Sequence, residues 1–184
     1  MKQEKLSNIA DIILGKNGSR IRHPKTDVYN VEHLNADLEN LYQLDDDNTP
    51  TQGNTGNVVF NQNTYQAAVI SATNANKILD QNFLMIKCRE ELVDPRYLCF
   101  VLNCSNAIKR QEAAMSQGLI IRKISTFDIK GMKIPLTELT QQRVISRIYA
   151  MQLHYQWLTK QKLNLINKSL EQAMKSLIEI GKEF

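Results

Sequence analysis

Long hydrophobic runs are missing from this chain of 184 residues. No stretch approaches the roughly 18 uncharged apolar residues that a membrane-crossing helix needs. The opening segment, MKQEKLSNIADIILG, sets acids and amides too close to its apolar run for a secretion signal. The expectation is a cytoplasmic protein with no membrane contact. Cysteine is scarce: Cys88, Cys99 and Cys104 are odd in number and form no Cys-x-x-Cys pair. That argues against a disulfide framework or a thiolate zinc site and for reduced, buried thiols. His23, His33 and His154 stand in unrelated contexts without the spacing of metal ligands. Glycine is sparse too. Gly15-Lys16 lacks the upstream glycine of a phosphate-cradling loop, and no GxGxxG, HExxH or GxSxG sequence occurs. No paired carboxylates stand with a lysine in the manner of metal-dependent phosphodiester cleavage. The sequence therefore predicts no catalytic residue, no metal site and no cofactor on this chain.

Excess charge is absent from most of the molecule. Residues 1–140 hold sixteen Lys and Arg against sixteen Asp and Glu, whereas residues 141–184 hold seven against three. The net charge of +4 thus lies entirely in the tail. A polyanion would meet no global attractive field on the front part, only local basic patches.

Residues 1–140 read as a mixed body of short strands and short helices. Predicted strands are Val28–Val31, Val58–Phe60, Ala67–Ser71, Phe83–Cys88 and Met132–Pro135, each apolar or alternating and bounded by Asn, Gly, Asp or Pro. Gln43–Gly56 is a loop dense in Asp, Asn, Thr and Gly, without the closing glutamate of a calcium loop. Asp94-Pro95 marks a helix start, a second helix follows around Ile108, and Ser125 or Thr126 caps a short helical turn before Gly131.

Between Pro135 and Gly181 neither proline nor glycine occurs, and Thr137 or Thr140 offers a cap. Apolar residues recur at Ile148, Met151, Tyr155 and Leu158, and again at Ile166, Leu170, Ala173, Leu177 and Ile180, with Lys162 between the two sets. The spacing is that of a heptad seam with one four-residue stutter. A helix of that span runs about 60 Å at 1.5 Å per residue, longer than the body is wide. Its stripe needs a second long helix, and the expectation is that another molecule supplies it; the alternative is a helix folded back over its own domain.

Four loops carry the residue types suited to nucleic acid. GKNGSRIRHPK, residues 15–25, groups Lys16, Arg20, Arg22 and Lys25. FNQNTYQ, residues 60–66, offers Asn63 and Tyr65; SATNANK, residues 71–77, offers Asn74, Asn76 and Lys77; SQGLIIRK, residues 116–123, adds Gln117, Arg122 and Lys123. Arg and Lys pair with phosphates or guanine edges, and Asn and Gln with adenine edges. Tyr97, Leu98 and Phe83 are expected in the core.

Five segments in order carry a resemblance to a known family. These are KLSNIADIILGK (5–16), VYNVEHL (28–34), AAVISATNANKILDQNFLMIK (67–87), VDPRYLCFVLN (93–103) and ISTFDIKGMKIPLTELTQQRVI (124–145). Together they resemble the specificity (S) subunit of type I restriction-modification systems. The chain departs from that pattern at Leu136-Thr137, at Gln141-Gln142 and at Gly56-Asn57-Val58. It also resembles half of such a subunit, which has two recognition domains and two long helices.

The resemblance implies an α+β target-recognition domain over 1–138 and a long helix over 139–182 in an intermolecular antiparallel coiled coil. It implies a homodimer reading a bipartite, gapped, palindromic site on double-stranded DNA. It further implies docking of adenine methyltransferase subunits, which use S-adenosylmethionine, and through them of a restriction subunit. The neutral body predicts weak DNA binding by the isolated chain. An alternative reading is a coiled-coil adaptor, or a truncated decoy competing for methyltransferase subunits.

Overall fold

The computed structural model describes residues 2–17, 27–42, 53–115 and 124–180. In chain order the elements are β1 (Lys2–Lys5), α1 (Leu6–Ile9), β2 (Ala10–Leu14), β3 (Val28–Tyr29), α2 (Val31–Glu39), β4 (Val58–Asn61), β5 (Ala67–Val69), β6 (Ile78–Leu79) and β7 (Phe83–Cys88). There follow α3 (Pro95–Cys104), α4 (Asn106–Met115), α5 (Thr126–Gly131), β8 (Lys133–Leu136) and α6 (Leu139–Ile180). The architecture is the expected one, a mixed α+β body followed by a long helix.

The central sheet has four antiparallel strands in the order β2-β7-β4-β5. Side chains alternate across its faces, as the period of two requires. Val58, Phe60, Val69, Leu84 and Ile86 enter a main core with Leu98 and Leu102 of α3. Val59, Ala68, Phe83 and Met85 enter a second, smaller core with Tyr29 and Leu34. Burial on both faces explains why β4 and β7 read as nearly continuous apolar runs.

β1 and β8 form a separate antiparallel ribbon, pairing Lys2 with Leu136 and Lys5 with Lys133. Pro135 is tolerated because this ribbon has a free edge. Tyr97, buried as expected, donates from its hydroxyl to the Pro135 carbonyl at 2.9 Å.

The long helix runs for 42 residues, about 63 Å. Its first turns are fixed by a buried polar latch. Gln142, 1% exposed, accepts from the Asp94 amide at 3.0 Å and donates to the carbonyls of Leu92 and Thr137 at 3.1 and 2.8 Å. Ser146 donates to Asp94 Oδ1 at 2.8 Å, the same oxygen that caps α3 by accepting from the Tyr97 amide. Tyr149 and Ala150 complete the buried face. From Thr159 to Ile178 every residue is exposed.

Several expectations need correction. The strand placed at Val28–Val31 stops at Tyr29, because Asn30 caps α2 in a reciprocal box: its Oδ1 accepts from the His33 amide at 3.0 Å and its amide donates to His33 Nδ1 at 3.1 Å. The strand placed at Ala67–Ser71 ends at Val69, since Ser71 is drawn to Asp37. Thr140 lies inside α6, which begins at Leu139. Asp94 and Ser125 do cap α3 and α5. Of the loop at 43–56, residues 43–52 lie outside the described residues.

Replacing Gln142 by Ala leaves one partly buried amide hydrogen and two partly buried carbonyls without their partner. Urea unfolding is expected to show a loss of about 2–4 kcal/mol. Gln141→Ala, at the exposed neighbour, is expected to stay within about 0.5 kcal/mol of wild type.

Candidate nucleic-acid interface

One end of the central sheet gathers several loops. β2 ends at Leu14 opposite Leu84, and β4 ends at Asn61 opposite Phe83. Gly15 donates to the Phe83 carbonyl at 2.9 Å and Lys16 to the Leu79 carbonyl at 2.7 Å. A side chain at position 15 would run into the Asp80 carbonyl, so this close approach requires glycine. Gln62 joins the cluster through its amide to Asn82 at 2.9 Å and its Nε2 to the Ile124 carbonyl at 2.8 Å. Lys16 is exposed here, beside Asn17. Arg20, Arg22, Lys25, Gln117, Arg122 and Lys123 lie outside the described residues; Asn17 and Ile124, which border their segments, are both at this end.

The turn between β4 and β5 is organised by buried Asn61. Its Oδ1 accepts from the amides of Asn63 and Thr64 at 2.9 and 3.2 Å, and its carbonyl accepts from the Tyr65 amide at 2.9 Å. These bonds hold Tyr65 at φ 61°, a left-handed conformation costly for a bulky residue. Asn63 is exposed; Tyr65 is half-buried. Tyr65 borders an open cleft of about 720 Å³ at the foot of α6, with Asn103, Lys109, Glu112 and Tyr149. Burial pushes the Glu112 carboxyl above its ordinary range, partly offset by Lys109.

The loop 71–77 divides into an inner and an outer part. Asp37, 1% exposed, is the inner hub, accepting from the Tyr29 hydroxyl at 2.7 Å, the Ser71 hydroxyl at 2.5 Å and Asn74 Nδ2 at 2.8 Å. Burial and the neighbouring Asp37 push the Tyr29 phenol well above its usual range. Asn74 is therefore turned inward with its amide engaged by Asp37, a correction to its expected role at a base edge. Asn76 is exposed, whereas Lys77 is ion-paired with Asp27, whose carboxyl that bond holds below the ordinary range. Lys16, Asn76 and Lys77 line one cleft of about 360 Å³, with Ile13 and Leu14 among its apolar residues.

The structure thus brings Lys16, Asn76 and Lys77 together and leaves Asn63 and Tyr65 on a separate turn. Phe127 of α5 is 85% exposed, and nothing in its sequence context separates it from a core aromatic. On α6, Ile148, Met151, Tyr155, Leu158, Ile166, Leu170 and Leu177 are 46–72% exposed, and Lys162 and Ala173 are exposed as well. Ile180 closes the helix. At 100° per residue this stripe lies roughly opposite the face that Gln142, Ser146, Tyr149 and Ala150 turn to the body.

No family model and no curated protein sequence matches this chain. Solved structures do. A chain from work on complex assembly and conformational transition of the type I R-M system matches over 97% of this chain and 49% of its own length, at 14% identity and a TM-score of 0.65. The type I restriction-modification system S subunit from M. genitalium matches over 80% of this chain and 37% of its own, at 14% identity and a TM-score of 0.52. This chain accordingly shares the fold of those two solved chains. The architecture shared is the S subunit's, as the sequence resemblance anticipates. This chain spans about half, or less, of the length of those structures.

Asn74→Ala, which strips a donor from buried Asp37, is expected to lower stability by about 1–3 kcal/mol in urea unfolding, while Asn76→Ala stays within about 0.5 kcal/mol. For Glu112, a folded-state pKa above the unfolded one means that the unfolded chain loses its proton first as pH rises. The contribution of Glu112 to stability therefore falls from the ordinary carboxylate pKa, about 4.3, up through the raised folded value. Glu112→Gln removes that slope, so its stability relative to wild type is expected to grow as pH rises from the ordinary carboxylate range through the raised folded value, in paired unfolding curves.

Proposed function

We propose that this chain is the sequence-specific DNA-recognition subunit of a type I restriction-modification system, non-catalytic in itself. It acts as a homodimer through α6, reads a bipartite, gapped, palindromic site on double-stranded DNA and docks adenine methyltransferase subunits. Methylation, with S-adenosylmethionine, and restriction are the work of those partner subunits. The observation that carries the reading is a loop-rich body on the root of a 42-residue helix whose apolar stripe faces away from that body. The S-subunit fold supports it, and so does the grouping of Lys16, Asn76 and Lys77 around one cleft.

The far half of α6 carries more apolar surface than one partner helix covers. Leu163, Met174 and Ile178 are 56–62% exposed beside the heptad stripe. A two-helix seam is narrow, and the remaining flank suits a further helix, which the proposal assigns to the methyltransferase. Two identical readers on a two-fold axis face inverted half-sites. The body's balanced charge supports a need for a partner that clamps the duplex, because phosphate neutralisation supplies most non-specific affinity.

Methylome sequencing of cells expressing the chain with a cognate methyltransferase is expected to reveal a palindromic motif with an unread gap. Methylation without that symmetry overturns the homodimer, and none at all overturns the assignment. In the purified complex, Lys16→Ala is expected to weaken binding to all sequences alike and to lower the salt slope by about 1. The isolated chain is expected to bind its site no more tightly than about 1 μM at physiological salt.

A further inference from the structure

The heptad series of α6 has an internal symmetry. From Ile148 to position 180 its members are separated by 3, 4, 3, 4, 4, 4, 3, 4 and 3 residues, a series that reads the same from either end. Its centre falls at the level of Asn164. Resting on the homodimer proposed above, the geometry points to a single register: two copies of α6 pair antiparallel about a two-fold axis at Asn164. Every member of the series then meets its mirror member on the other copy. Met151 lies on the partner's Leu177, Tyr155 on the partner's Ala173, Leu158 on the partner's Leu170 and Lys162 on the partner's Ile166.

Side-chain size selects this register over the parallel one. Tyr155 is the bulkiest member of the series and Ala173 the smallest, and the antiparallel register places them in the same layer. A parallel, in-register pair would set Tyr against Tyr, Ala against Ala and Lys162 against Lys162. That gives an overfilled layer, an empty layer and a pair of like charges, each unfavourable. In the antiparallel pair the Lys162 stem lies along Ile166 and its ammonium reaches solvent. Among the described residues, none of the body covers the face where the second helix would lie. Met151 and Tyr155 are 70% and 72% exposed in the very stretch whose opposite face, through Tyr149 and Ala150, is buried on the body.

The register sets a distance. Ala150, the last fully buried residue of the root, stands 14 residues from the axis, about 21 Å at 1.5 Å per residue. The roots of the two bodies are then about 42 Å apart along the helices, which fixes the separation of the two reading surfaces.

Disulfide trapping on the full chain tests the register, with Cys104→Ser removing the exposed native thiol. Leu158→Cys and Leu170→Cys proteins are prepared separately, mixed and oxidised. The mixture is expected to give a covalent dimer, and each protein alone none, since like positions lie about 18 Å apart across the axis and a disulfide needs Cβ atoms about 4 Å apart. Leu158→Cys linking to itself overturns the register and leaves the homodimer standing. A monomeric mass by light scattering at micromolar concentration overturns both. A dimer that no mixture cross-links overturns the register alone. In a second arm, Tyr155→Ala is expected to weaken dimerisation about tenfold or more, and Tyr155→Ala with Ala173→Tyr to recover most of it. Failure of the double exchange to recover the dimer overturns the Tyr155–Ala173 layer.

Discussion

The latch between Gln142, Ser146 and Asp94 is the contact on which the rest of this molecule depends. A helix of 42 residues has no stable direction of its own relative to a small body. Here its direction is set in three turns, by one amide side chain that satisfies three backbone groups and one hydroxyl that shares the cap of α3. A purely apolar root could rotate or slide with little penalty, because the hydrophobic effect has no directional preference. Buried hydrogen bonds do have one, and a misplaced helix would leave them unmade. The apolar stripe consequently points away from the body, and the surfaces of Lys16, Asn76 and Asn63 keep a fixed relation to the helix that carries them.

Much of this was legible in the sequence. The absence of proline and glycine after Pro135, together with the seam from Ile148 onward, gave the long helix and its outward stripe, because helical periodicity is a local property. Asp94-Pro95 and Ser125 gave two helix starts for the same reason. β1, β2 and β6 were not legible. They are short, and β1 is KQEK, with no apolar alternation; its pairing with β8 is decided across more than a hundred residues of sequence. The helix at Val31–Glu39 was hidden because its local reciprocal cap, between Asn30 and His33, has histidine where glutamate or glutamine usually stands. His33 is thus occupied in holding a helix end.

The polar surface was less legible still, because composition does not say which way a side chain turns. The loop 71–77 reads as uniformly polar, yet Asn74 is pulled inward by Asp37 and Asn76 is left outside. Asp37 is itself a buried acid in a nine-residue helix, visible in sequence as an ordinary surface residue. Lys77 likewise counts as a free cation in a tally of charge and proves to be paired with Asp27. The backbone at Tyr65 adopts its left-handed turn because Asn61 gives it no alternative, a constraint that only the folded turn reveals.

The ribbon of β1 and β8 has a bearing on the order in which the molecule comes into being. Lys2 finds its neighbour at Leu136, so β1 cannot pair until synthesis has run through most of the body and reached β8. The root of α6 follows β8 by only a few residues, and its later turns come after that. Every strand of the body has therefore left the ribosome before the exposed stripe of α6 does, and the surface that seeks a second helix is the last part of the described chain to be made.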